Sequence, residues 1–397
     1  MALSADADAV SVFDAPSAGK ALSGFLLSGF LFALLGPLLP AWGYHVDSSF
    51  VTVGNYFLCL ALGVAVAGFL WRRLILRTGL PYLLAIACAL ACAALIYLAS
   101  VSPPAHPGWR MGGLWLLGFG AGLLNAGLFC AISPAYRNDA AATVVGGGVF
   151  YGIGCVAAAM IVSAAFYEYS VRGILLLMAV IPAGFAMWYA LTQLPAPELA
   201  REPSHAQVFR DFRSPPAVLF ALLLFFQFGN EWAIAGWLPL YLIRRLGISP
   251  ESSLVITAVF WLALLLGRLG ALLLLPRVRH AKLLLGGALA AQFGCIILTF
   301  TNNRFGAVTA ILFLGAGFAT IYPLVAEKIG LRFPYYHPAF FNGIFSFGLL
   351  GGLLAPATIG YLSEALGIWV VVGLPFVGTA MVSLLILVIW LEARITG

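Results

Sequence analysis

Glu231 stands in FQFGNEWAIAGWLPLYL (226–242), among aromatic and aliphatic side chains with no lysine or arginine within ten positions. An ionised carboxylate in such surroundings is costly, so its presence points to a partner or to a proton that comes and goes. Arg268, in LLLGRLG, is the matching cation. Its guanidinium stays protonated, which leaves pairing with Glu231, binding of a substrate anion or an escape to an interface. Helical spacing gathers more chemistry around the two. Gln227, Glu231 and Ile234 share one face at i, i+4 and i+7, and Trp261, Leu264 and Arg268 share another. An amide, a carboxyl, an indole and a guanidinium converging on one hollow suit a hydroxylated solute with an apolar C–H face. The competing readings are an acid that only ties helices together and an arginine that only supports packing.

These residues need a frame, and composition supplies it. The 397 residues are 63% hydrophobic and 9% charged, with a mean hydropathy of +1.05, far from the usual mix of a soluble domain. Spanning about 30 Å of hydrocarbon takes roughly 20 apolar residues as helix. Twelve runs of that kind lie near 21–44, 50–70, 79–100, 111–133, 144–166, 173–194, 216–243, 254–275, 282–300, 306–327, 339–362 and 368–391. Long apolar runs without alternation exclude a barrel, so the expected fold class is an all-α polytopic membrane protein.

Charge sets the expected orientation. With the N-terminus inside, Lys20, Arg72, Arg73, Arg77, Arg137, Arg201, Arg210, Arg213, Arg277, Arg279, Lys282, Lys328, Arg332 and Arg394 fall on the inner face. Only Arg110, Arg172, Arg244, Arg245 and Arg304 fall outside, and Arg268 completes the 20 basic residues. Fourteen against five predicts cytoplasmic termini in a bacterial-type inner membrane. It also explains the net charge of +6 without a nucleic-acid partner. The six cysteines sit inside helices without CxxC spacing and read as small buried hydrophobes, with no disulfide and no metal expected.

The most polar internal segment, LPAPELAREPSHAQVFRDFRSPP (194–216), divides the chain in two. The expected organisation is a tail at 1–19, a six-helix bundle at 20–194, a cytoplasmic linker at 195–215, a second bundle at 216–391 and a tail at 392–397. The halves echo each other: GVFYGIGCVAAA (148–159) and GIFSFGLLGGLL (343–354) share a G-[VI]-F start and clustered glycines. Such repeats suggest two parallel bundles with a cavity between them at mid-depth.

With those segments in view the chain resembles the major facilitator superfamily. GFLWRRLILRTG (68–79) is similar to the family's G-x-L-x-D-R-x-G-R signature at Gly68, Leu70 and Arg73, with Arg72 in place of the acid. GFGAGLLNAG (118–127) is similar to its glycine-rich fourth helix. GNEWAIAGWLPLYL (229–242), FWLALLLGRLGALLLLPRV (260–278), GAGFATIYPLVAE (315–327) and GIFSFGLLGGLLAPATIGYL (343–362) resemble the branch of fucose:proton symporters and other sugar carriers. The resemblance implies alternating access, a monomer and a small-molecule substrate, with the proton gradient as energy source and no cofactor. Proton handling is expected in the C-terminal half. The first helix carries no charge, and the fourth offers Asn125 where related carriers place an acid.

Asn125, Tyr151, Asn230, Tyr322 and Asn342 lie at comparable depth as substrate contacts, although interhelical hydrogen bonds worth about 1 kcal/mol account for any one of them as well or better. Gly36-Pro37, with Pro40, is expected to bend the first helix beside the cavity. Trp237 is either a gate or part of an interfacial aromatic belt. No interior histidine, His-Glu-x-x-His, Gly-x-Ser-x-Gly or paired interior aspartates appear, which argues against an enzyme. No filter motif or ring of carboxylates suggests a channel. The rivals within transport are a proton-driven exporter of drugs or metabolites and an organic-anion carrier using Arg268.

Overall fold

The computed structural model describes residues 16–46, 49–138, 140–194, 204–274, 277–333, 335–336 and 343–396. They fold into fifteen helices. Those of the first half are α1 (Pro16–Ala33), α2 (Leu35–Ala41), α3 (Phe50–Thr78), α4 (Leu80–Ser100), α5 (Pro107–Asn138), α6 (Ala140–Ala165) and α7 (Val171–Leu191). A short α8 (His205–Asp211) precedes α9 (Pro215–Leu246), α10 (Pro250–Leu274), α11 (His280–Phe300), α12 (Arg304–Ala319), α13 (Ile321–Arg332), α14 (Gly343–Leu366) and α15 (Val370–Thr396). Among the described residues eleven helical stretches are long and apolar enough to cross a membrane, and α1 with α2 supplies a twelfth. This is an all-α polytopic membrane protein.

Local chemistry sets the ends of these helices. The Ser49 hydroxyl accepts from the Thr52 N–H at 3.3 Å to start α3, and Gly79, at φ +81°, stops it. Helix α9 opens with Pro215-Pro216 in its first turn, where missing N–H groups cost nothing, and closes on Gly247 in the left-handed region at φ +64°.

Two spans are interrupted. The first bends by 42° between α1 and α2. The break falls at Leu34, just ahead of the Gly36-Pro37 pair, because Pro37 has no N–H for the Ala33 carbonyl and its ring crowds that oxygen. The Leu38 N–H then resumes the ladder on Leu34 at 3.2 Å. The tenth span changes from α12 to α13 at Thr320, ahead of Pro323. Within the polar segment between the halves, α8 is a helix that apolar patterning did not signal. Ser204 caps it, Val208 and Phe212 pack on the second half, and the Asp211 carboxylate accepts from the Tyr335 and Tyr336 hydroxyls at 2.8 Å each.

Helices α1–α7 pack among themselves and α9–α15 do likewise. The groups meet along α3 against α14, α6 against α10, and α2 against α9. At the end opposite α8 the meeting is tight. The Phe50 N–H donates to Glu364 Oε2 at 3.0 Å, the Tyr361 hydroxyl donates to Asn55, and Ser163 donates to the Glu251 carbonyl at 3.2 Å. A Cβ on Gly54 would stand 2.9 Å from the Ala357 oxygen and 3.1 Å from the Gly360 Cα, so glycine is what lets α3 and α14 cross here.

Candidate functional site

Between the two groups lies a cavity of about 190 Å³, whose walls run from Leu35 and Pro356 to Trp71, Phe25 and Leu349 on the α8 side. Glu231 and Arg268 are the only charged side chains lining it among the described residues. They are 5% and 8% exposed, and Arg268 Nη2 lies 3.6 Å from Glu231 Oε1. That is an ion pair too long to be a good hydrogen bond. Arg268 Nη1 donates at 3.3 Å to the carbonyl of Gly148 on α6. Neither Glu231 Oε2 nor Arg268 Nε has a hydrogen-bond partner. At 4 Å and an effective dielectric of about 20 such charges attract by about 4 kcal/mol before desolvation is counted.

Three other expected residues line the same space. Asn125 on α5 accepts from Ser28 at 3.2 Å, Tyr151 on α6 has a buried hydroxyl without a partner, and the ring of Tyr322 on α13 lies 5.0 Å from that of Phe228 at a tilt of 53°. The remaining residues are placed elsewhere. Gln227 is wholly buried behind the cavity wall and donates at 3.4 Å to the Phe318 carbonyl beside the break in the tenth span. Asn230 is turned about 100° from Glu231 around the helix and packs against Gly378 of α15. Trp261 lies two turns from Arg268 in the half where the bundles are closed, buried against Phe260. Asn342 lies outside the described residues. Trp237 is buried in the closed half, donating to the Pro356 carbonyl at 2.8 Å and stacking on Phe57 at 5.8 Å. Gly36 sits against the backbone of Ala235 and Gly236 on α9, with Pro37 buried beside it. Both are therefore in the seam between the halves.

Aromatic rings dominate the walls in a way residue spacing did not indicate. Seven phenylalanine and tryptophan rings line the cavity. Phe32 of α1 meets Trp232 of α9 edge to face at 5.5 Å across the two halves, and Phe32 lies 6.4 Å from Tyr151. Trp232, the neighbour of Glu231 in sequence, was the one available signal.

This arrangement, two six-span groups around a central hollow with a charged pair, agrees with what sequence and structure comparison find. Residues 21–349 match the profile of the Major Facilitator Superfamily, and the chain belongs to that family. An MFS-type transporter of Yersinia pestis is 24% identical over 375 residues, covering 93% of each chain. The D-xylose–proton symporter structure superposes with a TM-score of 0.72 at 17% identity, covering 94% of this chain and 96% of that one. The fucose:proton symporter of E. coli gives 0.61 at 17%, covering 94% and 98%. At that identity the structures establish a shared fold. The protein is a membrane transporter, not an enzyme.

Proposed function

We propose that the protein is a proton-coupled symporter of a small polar solute such as a sugar, working by alternating access. The observation that carries this reading is Glu231 Oε2, buried at the cavity wall without a hydrogen-bond partner, opposite an arginine 3.6 Å from its other oxygen. A carboxyl group in that position takes up a proton when water reaches it and gives it back after the bundles rock. Asn125, Tyr151 and Tyr322 supply polar contacts, and Phe32 and Trp232 supply ring faces for the apolar side of a pyranose. Gln227, Asn230 and Trp261 act behind the wall, supporting the helices that carry the pair. The fourteen-to-five distribution of basic residues puts the α8 end and both termini in the cytoplasm of a bacterial-type inner membrane. The cavity then faces inward, Gly36-Pro37 and Trp237 belong to the outer gate, and one chain suffices for transport. The proton gradient is the energy source.

The test is uptake of radiolabelled D-xylose and fucose into proteoliposomes with and without an inward proton gradient. Gradient-driven accumulation is expected in the wild type. Glu231→Gln is expected to lose it while keeping exchange down a sugar gradient. Full proton-driven accumulation in that variant would refute the reading. The seven apolar rings favour a second reading, in which a proton-driven exporter carries aromatic or amphipathic compounds or an organic anion held by Arg268. An outward flux of such a compound against its gradient, with no sugar uptake, would select it.

A further inference from the structure

One contact at the charged pair crosses between the bundles. Arg268 belongs to α10 of the second half, as Glu231 belongs to α9, but its Nη1 donates to the main-chain carbonyl of Gly148 on α6 of the first half. The guanidinium is thus held between two acceptors of different kinds, a carboxylate 3.6 Å away in its own bundle and a peptide oxygen 3.3 Å away in the other. Gly148 leaves room for this approach: a Cβ there would stand 3.1 Å from Nη1 and 3.7 Å from Cδ of Arg268, so the guanidinium would have to give by a few tenths of an ångström. We propose that the Gly148 carbonyl is the second pole of a relay in which Arg268 shifts its hydrogen bonding between Glu231 and the opposite bundle, so that protonation of Glu231 resets the packing of α6 on α10. This rests on the proton-carrying role proposed above for Glu231.

The physical argument is an asymmetry between the acceptors. The pull of a peptide carbonyl does not depend on pH, whereas that of a carboxylate falls sharply when it is protonated. With Glu231 ionised, the guanidinium is drawn into its own bundle. With Glu231 neutral, the acceptor within hydrogen-bond distance, the Gly148 carbonyl, belongs to the other bundle, and a buried arginine without acceptors is costly. The proton therefore moves a hydrogen bond from within a bundle to between bundles. Other titratable groups around Glu231 are few. Arg268 approaches from α10, Tyr151 and Cys155 from α6, and Tyr322 lines the same cavity from α13. No charged side chain from α2, α12, α14 or α15 lines the cavity among the described residues.

The experiment needs no identified substrate. Nitroxide labels are placed at positions 76 and 331, exposed at the α8-side ends of α3 and α13, in a full-length chain whose six cysteines are replaced by alanine. Electron–electron distance distributions are then recorded in proteoliposomes from acidic to alkaline buffer. The wild type is expected to change its population ratio by roughly tenfold across that range. Glu231→Gln should abolish the change, and Gly148→Ala should reduce it by at least half. Arg268→Lys, which keeps the charge but loses the fork that reaches both acceptors, should match Gly148→Ala and decides the matter if that variant does not fold. Gly146→Ala, whose added Cβ would meet nothing nearer than 4.0 Å, is the control. A wild-type pH response in Gly148→Ala and Arg268→Lys, alongside its loss in Glu231→Gln, would overturn the relay and leave Glu231 as the proton carrier. Survival of the response in Glu231→Gln, or none in the wild type, would instead remove the foundation as well.

Discussion

Substituting Gly54 by alanine probes the seam that closes one end of the molecule. The added methyl would stand 2.9 Å from the Ala357 oxygen, whereas ordinary contacts begin at 3.4 Å, so α3 and α14 must part by about 0.5 Å. Gly360 offers no relief, since its Cα is 3.1 Å from the same point and belongs to backbone. Overpacking of this kind costs about 1–3 kcal/mol. The strain exists only while the seam is shut, and the gain in helix propensity on replacing glycine applies equally to both states. The expected result is a shift of roughly 5- to 150-fold in the ratio of the two states, away from the one seen here. Spin labels at positions 46 and 369, both exposed at the closed end, would report a longer distance population in Gly54→Ala than in wild type. A folded variant with an unchanged distribution would refute the argument that this crossing sets the closed state.

Three further outcomes follow from the same geometry. Trp237→Phe keeps the ring on Phe57 but loses the indole donation to the Pro356 carbonyl, and should weaken the closed state by about 0.5–1.5 kcal/mol, read by the same label pair. Asp211→Asn removes the carboxylate shared by Tyr335 and Tyr336, and should release α8, seen as faster amide exchange over residues 205–211. Burial, and then hydrogen bonding to Asp211, holds both phenols above their usual pKa of 10.0. A raised folded-state pKa gives stability that is complete below the unfolded value and declines above it. Protection of the α8 amides, measured as exchange relative to the intrinsic base-catalysed rate, should therefore stay constant up to about pH 10 and fall beyond.

Much of this architecture was legible in the residues. The spans could be read because each needs a long apolar run, and the bend at Leu34 because Pro37 cannot continue the ladder. The Glu231–Arg268 contact was legible for a related reason: lone opposite charges on successive spans have few other partners. What sequence could not reveal was which side of each helix faces the hollow. In a soluble protein the apolar stripe marks the core, but here lipid-facing and buried sides are both apolar, so periodicity loses its sign. Gln227 and Asn230 accordingly share the helix of Glu231 without lining the cavity. The first is turned to the Phe318 carbonyl and the second to Gly378. Trp261 shares its face with Arg268 as expected but lies beyond the depth at which the bundles close, a limit set by tertiary packing. Helix α8 escaped notice because seven residues, of which Val208 packs on the second half, are too short for a periodic signal.

The elbow in the first span has a mechanical consequence. Its longer arm, α1, rests on α5 and α6, while the short arm, α2, lies on α9 of the other half. One continuous span is therefore shared between two bodies, and any tilt of one against the other must be taken up along it. The joint at Leu34 is the compliant place, since the Ala33 carbonyl has already lost its helical donor to Pro37. The proline acts as a pre-cut crease that lets a membrane-spanning rod follow two partners at once.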